Sequence, residues 1–571
     1  LTIFCFGAGS HTCIAPKFVV LAVILTLVMI MQRYQILFLL LAFAVSIVWF
    51  LLRGWYFRLV FEARSQVRDL DGKTVPGELP RMLVGNLVDV YSSSNQLSAY
   101  HSFHQKFGEV VQIFWLWREQ ISVSNYSMAR QILVSNQRNY QKFPPNSLLQ
   151  KLFGQSVLTL TDTGNDWKQH RLLLQEVFSP RQIPDFHDIF VDYSQRLSRQ
   201  WQRQLQQPGA NKELDIYPEL LALFLDIIGQ VAIGKDFAAL TGDADDFLEA
   251  IKYIVYQSTQ PVHQFTTWWK YLPLPSNRKL DRAFQTVDDF LDRLIVERQT
   301  RSASDGSTVL DLLWRSLDSS ATELSPASKQ EIRDNLLAII ANGHETVANS
   351  VSLSLYLLAK YPEKLARAQA EVDRTIEQGE LTEAGIGKLN YINCVILETL
   401  RFSPSMAGLQ RISRDRDVLE GWSIPAEQVT AITLQPLHHN PEYFGEKAEQ
   451  FHPERYLDGQ ETIVPVGVAT ATKFQNKCPL KKLLTSHQED KTRKTKAGVC
   501  LPLTFGDGAR RCLGEHFAMY EMKVALAVLL YHFDFQVAPN FEAELELGKF
   551  GLFLTTFPKE GVEMIISLRN H

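Results

Sequence analysis

The 571-residue chain is poor in cysteine and carries no excess of positive charge. Its 58 Lys and Arg stand against 62 Asp and Glu, so the formal charge is 58 − 62 = −4. That balance excludes a nucleic-acid binder, because phosphate recognition needs a basic face. The six cysteines, Cys5, Cys13, Cys394, Cys478, Cys500 and Cys512, show neither the regular spacing of a secreted disulfide framework nor the paired C-x-x-C of a structural zinc site. A reducing compartment follows, and any cysteine with a role must have it alone. Other site patterns are missing too. His344-Glu345 opens like a zinc-binding H-E-x-x-H helix, but Ala348 stands where the second histidine is needed. Gly506-Asp507-Gly508 begins like a dinucleotide fingerprint, but position 511 is Arg, and neither a Walker lysine nor a G-x-S-x-G elbow occurs. There is no internal repeat.

What is present is a large apolar content, 46% of residues, and one long uncharged run from Ile36 to Leu52. That run approaches the ~20 residues needed to cross a bilayer. Arg53, Arg58, Arg64 and Arg68 follow it, the positive flank that stays cytoplasmic and leaves the C-terminal body on that side. We therefore expect an N-terminal extension over 1–35, a single transmembrane anchor over 36–52, a basic linker over 53–75 and a catalytic body over 76–571. Residues 1–30 read as an over-extended or alternative start. Val75-Pro76-Gly77-Glu78-Leu79-Pro80 cannot continue a helix and reads as a stiff hinge. Alternation over 110–123 predicts strands, helical spacing dominates to about 410, short strands occupy 411–433 and a long helix begins near Gly514. The fold class is mainly α with minor β. Residues 458–500 are polar and lysine-rich and predict a solvated insertion.

The chemistry concentrates at Phe505-Gly506-Asp507-Gly508-Ala509-Arg510-Arg511-Cys512-Leu513-Gly514, just before that last helix. Glycines allow a tight loop that brings backbone amides toward the sulfur, and the helix N-terminus adds positive potential. Both favour the thiolate. Such a cysteine serves as a nucleophile or as a metal ligand, and the residues alone leave the two open.

The loop fits F-x-x-G-x-R-x-C-x-G at every fixed position, and so resembles the haem-binding loop of the haem-thiolate monooxygenases, the cytochromes P-450. The resemblance implies that fold behind the anchor, haem b as cofactor, Cys512 as the axial ligand of its iron, Arg510 on a haem propionate and Phe505 and Gly508 shaping the loop around the sulfur. Thiolate ligation suits O–O cleavage better than histidine does. Further motifs follow in family order over about 75–570. Glu398-Thr399-Leu400-Arg401 matches the E-x-x-R helix and Pro453-Glu454-Arg455-Tyr456 the P-E-R-[FY] segment, implying an ion network of Glu398, Arg401 and Arg455. Taken alone, Glu398 and Arg401 are an ordinary i,i+3 pair. Trp167 and Arg171 match the W-x-x-x-R helix, and Arg411 a further propionate contact.

Asn342-Gly343-His344-Glu345-Thr346-Val347 is similar to the family's [AG]-G-x-[DE]-T-[TS] oxygen site. By that likeness Gly343 leaves room for dioxygen, while Thr346 bonds the carbonyl four residues back and passes protons with Glu345. Asn342 and Val347 depart from the pattern. The implied activity is hydroxylation or epoxidation of a lipophilic substrate, with O2 and with electrons from a separate ferredoxin or flavoprotein reductase. A haem-thiolate isomerase or dehydratase and a non-catalytic haem sensor are the alternatives. Apolar walls for the substrate are expected from Phe143 to Leu160, from Phe224 to Trp269 and near Phe553 to Phe557.

Overall fold

The computed structural model describes Phe43 and, between Val67 and Arg569, all but 458–500 and several shorter segments, among them 264–268, 300–307, 318–324 and 548–555. The expected anchor and the lysine-rich insertion therefore lie outside the described residues. The elements used below are, in chain order, α1 (Gln96–Phe107), β1 (Val110–Trp115), β2 (Arg118–Val123), β3 (Tyr140–Lys142), α2 (Ser147–Phe153), α3 (Asn165–Val177), α4 (His187–Leu205), β4 (Glu213–Asp215), α5 (Ile216–Ile233), α6 (Asp246–Thr259), α7 (Pro275–Gln299), α8 (Pro326–Gly343), α9 (Glu345–Lys360), α10 (Pro362–Thr375), α11 (Asn390–Phe402), β5 (Gly408–Ser413), β6 (Val429–Thr433), α12 (Glu515–His532), β7 (Phe533–Val537) and β8 (Glu563–Leu568).

A five-stranded sheet has the order β1-β2-β6-β5-β3, antiparallel except where β2 meets β6. The 110–123 segment is thus a hairpin, as its alternation predicts. The proline-rich hinge does not stand free of it. The Gln112 amide donates to the Pro76 carbonyl (2.9 Å), and a side chain at Gly77 would put its Cβ 2.3 Å from the Gln112 carbonyl oxygen, so the segment is docked on β1.

The helices pack around two central members. α12 is buried along nearly its whole length, against α4 through Phe190 on Phe517 (ring centroids 5.0 Å apart), and Phe533, the first residue of β7, continues the contact onto Trp201 of α4 (5.5 Å). α5 is mostly apolar. Asp215 caps its start by accepting from the Tyr217 amide (3.1 Å), and Gly234 ends it in the left-handed region at φ 70°. It is long and apolar enough to cross a membrane, yet about two-thirds of it is buried in the protein, so it is a core helix. Phe224, expected as a substrate wall, is fully buried on α5 and faces no internal space.

α11 begins with unusual support. Its first amides, from Asn390, Tyr391 and Ile392, donate to the Glu371 carboxylate of α10 at 2.9, 2.7 and 2.9 Å. A carboxylate from another helix thus satisfies orphan donors and complements the positive helix end. It also fixes the helix that carries Glu398 and Arg401.

Candidate active site

The Cys512 amide donates to the Phe505 carbonyl at 2.7 Å, closing 505–512 into a compact turn ahead of α12. Gly508 is obligatory there. Its φ is +69°, and a Cβ would lie 1.9 Å from the Leu133 carbonyl oxygen. The close approach that demands glycine is therefore to the 131–135 segment rather than to the sulfur.

Cys512 keeps accessible surface although protein atoms crowd round its sulfur. Burial pushes its thiol up to about 11, outweighing the Gly514 amide and the Arg171 and Arg511 guanidinia, which pull it down. In the chain by itself, desolvation of a full charge opposes the helix and loop dipoles that favour the thiolate. A sulfur in this setting is a poor free nucleophile. A cation bonded directly to it would hold it as thiolate.

Three cations converge beside the loop. Lys142 and Arg411 are register partners across the β3–β5 ladder. Burial holds the Lys142 ammonium far below its usual range, and the nearby Arg510 and Arg411 guanidinia lower it further. Burial brings Arg411 down to about 10. Arg510 donates to the Leu160 carbonyl (2.7 Å) and lies 4.6 Å from the ring centre of Trp167, whose indole N–H reaches the Val157 carbonyl (3.2 Å). Lys142 donates to the Leu158 carbonyl. Arg171 stands one turn beyond Trp167 on α3, where burial lowers its guanidinium and Cys512 raises it. The donor set suits a ligand carrying carboxylates. Sequence reasoning missed Lys142, because only the sheet register brings it to Arg411.

Between α8 and α9 the helix is interrupted. α8 ends at Gly343, His344 adopts φ −110° and ψ −50°, and α9 starts at Glu345. The Thr346 hydroxyl donates to the Asn342 carbonyl (3.2 Å), as expected, and the Asn342 amide folds back to the Ala338 carbonyl (2.7 Å). Gly343 has a packing role of its own. A Cβ there would lie 2.9 Å from two carbons of Ile228, so its missing side chain lets α8 pack on α5. Val347, the other departure from the pattern, is buried in the core. Burial pushes the Glu345 carboxyl up to about 7.

The ion network is fully formed. Glu398 and Arg401 are completely buried and bonded in two places at 2.9 Å each. Arg455 adds a bond to the same carboxylate at 2.8 Å, and the His452 amide another at 2.7 Å. Arg401 also donates to the carbonyls of His438 (2.8 Å), Ala448 (2.8 Å) and Gln450 (3.0 Å). All its donors are thereby used. The buried His438 ring accepts from the Leu503 amide (2.9 Å), joining the network to the start of the cysteine loop. A surface cleft of about 560 Å³ lined by Arg196, Arg199, Arg203, Asp226 and Asp236 shares no residue with any of this. Arg196 there is half exposed and already paired with Asp192 (2.7 Å) and Asp236 (2.9 Å).

The family model described as Cytochrome P450 matches residues 75–562, which holds every feature above. The chain belongs to the cytochrome P450 family. It is 27% identical to the chloroplastic cytochrome P450 97B2 of Glycine max over 84% of each chain. It is 25% identical to the self-sufficient cytochrome P450 monooxygenase CYP505E3 of Phanerodontia chrysosporium over 82% of this chain but 41% of that one. The crystal structure of a cytochrome P450DA heme domain superimposes with a TM-score of 0.70 at 20% identity, covering 87% of this chain and 98% of that one. The protein is thus a monooxygenase-type oxidoreductase with the P450 fold, mostly helical with minor sheet. Its cofactor is haem b. The residues present fit that group, with a cysteine that keeps accessible surface at the start of α12 and, beside its loop, the basic side chains of Lys142, Arg411 and Arg510, suited to two propionates.

Proposed function

We propose that this P450 inserts one oxygen atom into a lipophilic substrate, drawing electrons from a separate ferredoxin or flavoprotein reductase. The observation that carries this reading is the acid–alcohol pair at the helix break, Glu345 with its carboxyl pushed to about 7 and Thr346 with its hydroxyl on the Asn342 carbonyl. An isomerase, a dehydratase or a haem sensor has no need of a proton relay there. In this reading Cys512 ligates the iron through Sγ. Arg510, Arg411, Lys142, Trp167 and Arg171 hold the propionates, while Phe505 and Gly508 keep the loop closed around the sulfur. Glu398, Arg401 and Arg455 fix the fold behind the loop. When bound, the haem supplies the activation of dioxygen. The chain's part is to deliver protons and exclude water. Near neutral pH the Glu345 carboxyl still carries its proton much of the time, and the Thr346 hydroxyl, by rotating away from the Asn342 carbonyl, hands a proton into the internal space.

The 36–52 run anchors the protein in a membrane, with the catalytic body on the cytoplasmic side, where lipophilic substrates are concentrated. Oxygen uptake that requires reductant, donor and lipophilic substrate together tests the reading. Rearrangement of a lipid peroxide without external electrons would replace it with the isomerase reading.

A further inference from the structure

Residues 154–160 form a strap between α2 and α3. Its carbonyls face the cofactor cradle, where Val157 receives Trp167, Leu158 receives Lys142 and Leu160 receives Arg510. Its amides are held from the opposite side by α8. Gln155 N–H donates to Asp334 Oδ2 (2.7 Å) and Val157 N–H to Asn335 Oδ1 (3.0 Å). Gly154, at φ +47°, lies so close to Asp334 that a Cβ would stand 1.9 Å from its carboxylate.

Asn335 also reaches α3. Its Nδ2 donates to His170 Nδ1 (2.9 Å) and to the Glu331 carbonyl (3.0 Å). Because an amide N–H can only donate, His170 Nδ1 accepts, and the ring proton sits on Nε2, 3.2 Å from a Glu331 carboxylate oxygen. Asn335 is 1% exposed, so its carboxamide has no water to replace these partners, and His170 is largely buried beside it. His170 immediately precedes Arg171 on the turn of α3 that faces Cys512.

We infer that Asn335 is a positioning residue for the haem: one carboxamide on α8 sets both the strap that seats Trp167, Lys142 and Arg510 and the turn of α3 that carries Arg171. The inference rests on the proposed reading that those side chains hold the propionates. The residue type follows from the geometry. A carboxamide offers an acceptor for the strap amide and two N–H donors, for His170 and for the Glu331 carbonyl, in one plane. Aspartate keeps the acceptor and loses the donors. Leucine fills the volume and keeps neither, leaving the Val157 amide and His170 Nδ1 buried without partners.

The test uses the haem-loaded full chain with Asn335→Leu, Asn335→Asp and, as a packing control on the same helix, Leu337→Ala, whose side chain is fully buried. Two readouts are taken, the rate of haem transfer to apomyoglobin and the propionate bending bands in resonance Raman. Asn335→Leu is expected to release haem at least ten-fold faster than wild type and to shift the propionate bands, while its reduced carbon-monoxide complex keeps the thiolate Soret band. Asn335→Asp should fall between the two. Leu337→Ala should leave the bands in place even where it lowers thermal stability as much. Wild-type release and bands in Asn335→Leu, or equal release from Leu337→Ala at matched stability, would overturn the inference. Should Asn335→Leu not fold, Asn335→Asp decides alone, since a wild-type rate there contradicts a positioning role. Lys142→Ala separates the two levels of the argument. If it leaves haem release and propionate bands unchanged, the cradle reading beneath the inference is wrong, whatever Asn335 does.

Discussion

Arg401 and Arg455 meet on one oxygen of Glu398, their Nε atoms 2.9 and 2.8 Å from Oε2. Two guanidinia from distant parts of the chain share a carboxylate that water does not reach, and the remaining Arg401 donors tie α11 to the carbonyls of Ala448 and Gln450. Removing the carboxylate would leave two buried cations without their anion. Glu398→Gln is expected to cost about 3–5 kcal/mol, a large share of the stability of an ordinary domain. Measured by chemical denaturation, the midpoint should fall steeply, and haem content per folded protein should fall with it. A midpoint within error of wild type would show that the network contributes little.

Lys142 is expected to matter for the cofactor and much less for the fold. It is buried beside Arg411 and Arg510, and folding the chain without haem strips its ammonium of water next to two guanidinia. Lys142→Leu should therefore leave the haem-free protein at least as stable as wild type to heat, while the haem-loaded form loses affinity by about ten-fold or more, equivalent to roughly 1.4 kcal/mol. Parallel melts with and without haem check both halves of this prediction.

The cysteine loop, the E-x-x-R helix and the P-E-R-[FY] segment were legible because each is a contiguous string whose residues stay neighbours in the fold. The hairpin over 110–123 and the helix from Glu515 were legible from periodicity. Lys142, Asn335 and His170 were not, because their partners come from other elements and a single sequence carries no register between β3 and β5 or between α3 and α8. Gly343 was legible as a place needing no side chain but not as to why, since the atoms that demand it belong to Ile228 of α5. The burial that opposes the thiolate at Cys512 was not legible either, because it comes from elements distant in the sequence.

Glu345 gives a pH signature with a definite sign. Its carboxyl is raised from 4.5 to about 7 by burial, so the unfolded chain releases that proton first as pH rises. Stability contributed by the protonated form is present below about 4.5 and is lost as pH climbs to about 7. Relative to Glu345→Gln, the wild type should therefore melt progressively lower across that window and keep a constant deficit above it. Parallel melting curves of the two proteins over the window would contradict the buried, raised carboxyl.

Thr346→Ala removes the hydroxyl that now bonds the Asn342 carbonyl without touching the cofactor cradle. It should bind haem normally and consume reductant, but convert more of it to hydrogen peroxide and less to product. The ratio of peroxide to reductant consumed is the measurement, and an unchanged ratio would remove Thr346 from proton delivery.

The account stands most directly on Cys512 as the ligand of the haem iron, and the reduced carbon-monoxide spectrum of Cys512→His tests it. The wild type should show the red-shifted Soret band that thiolate ligation gives, and the variant should lack that band whether it retains haem or loses it. Persistence of the band in Cys512→His would mean that another group ligates the iron, and the assignment of this site would fall with it.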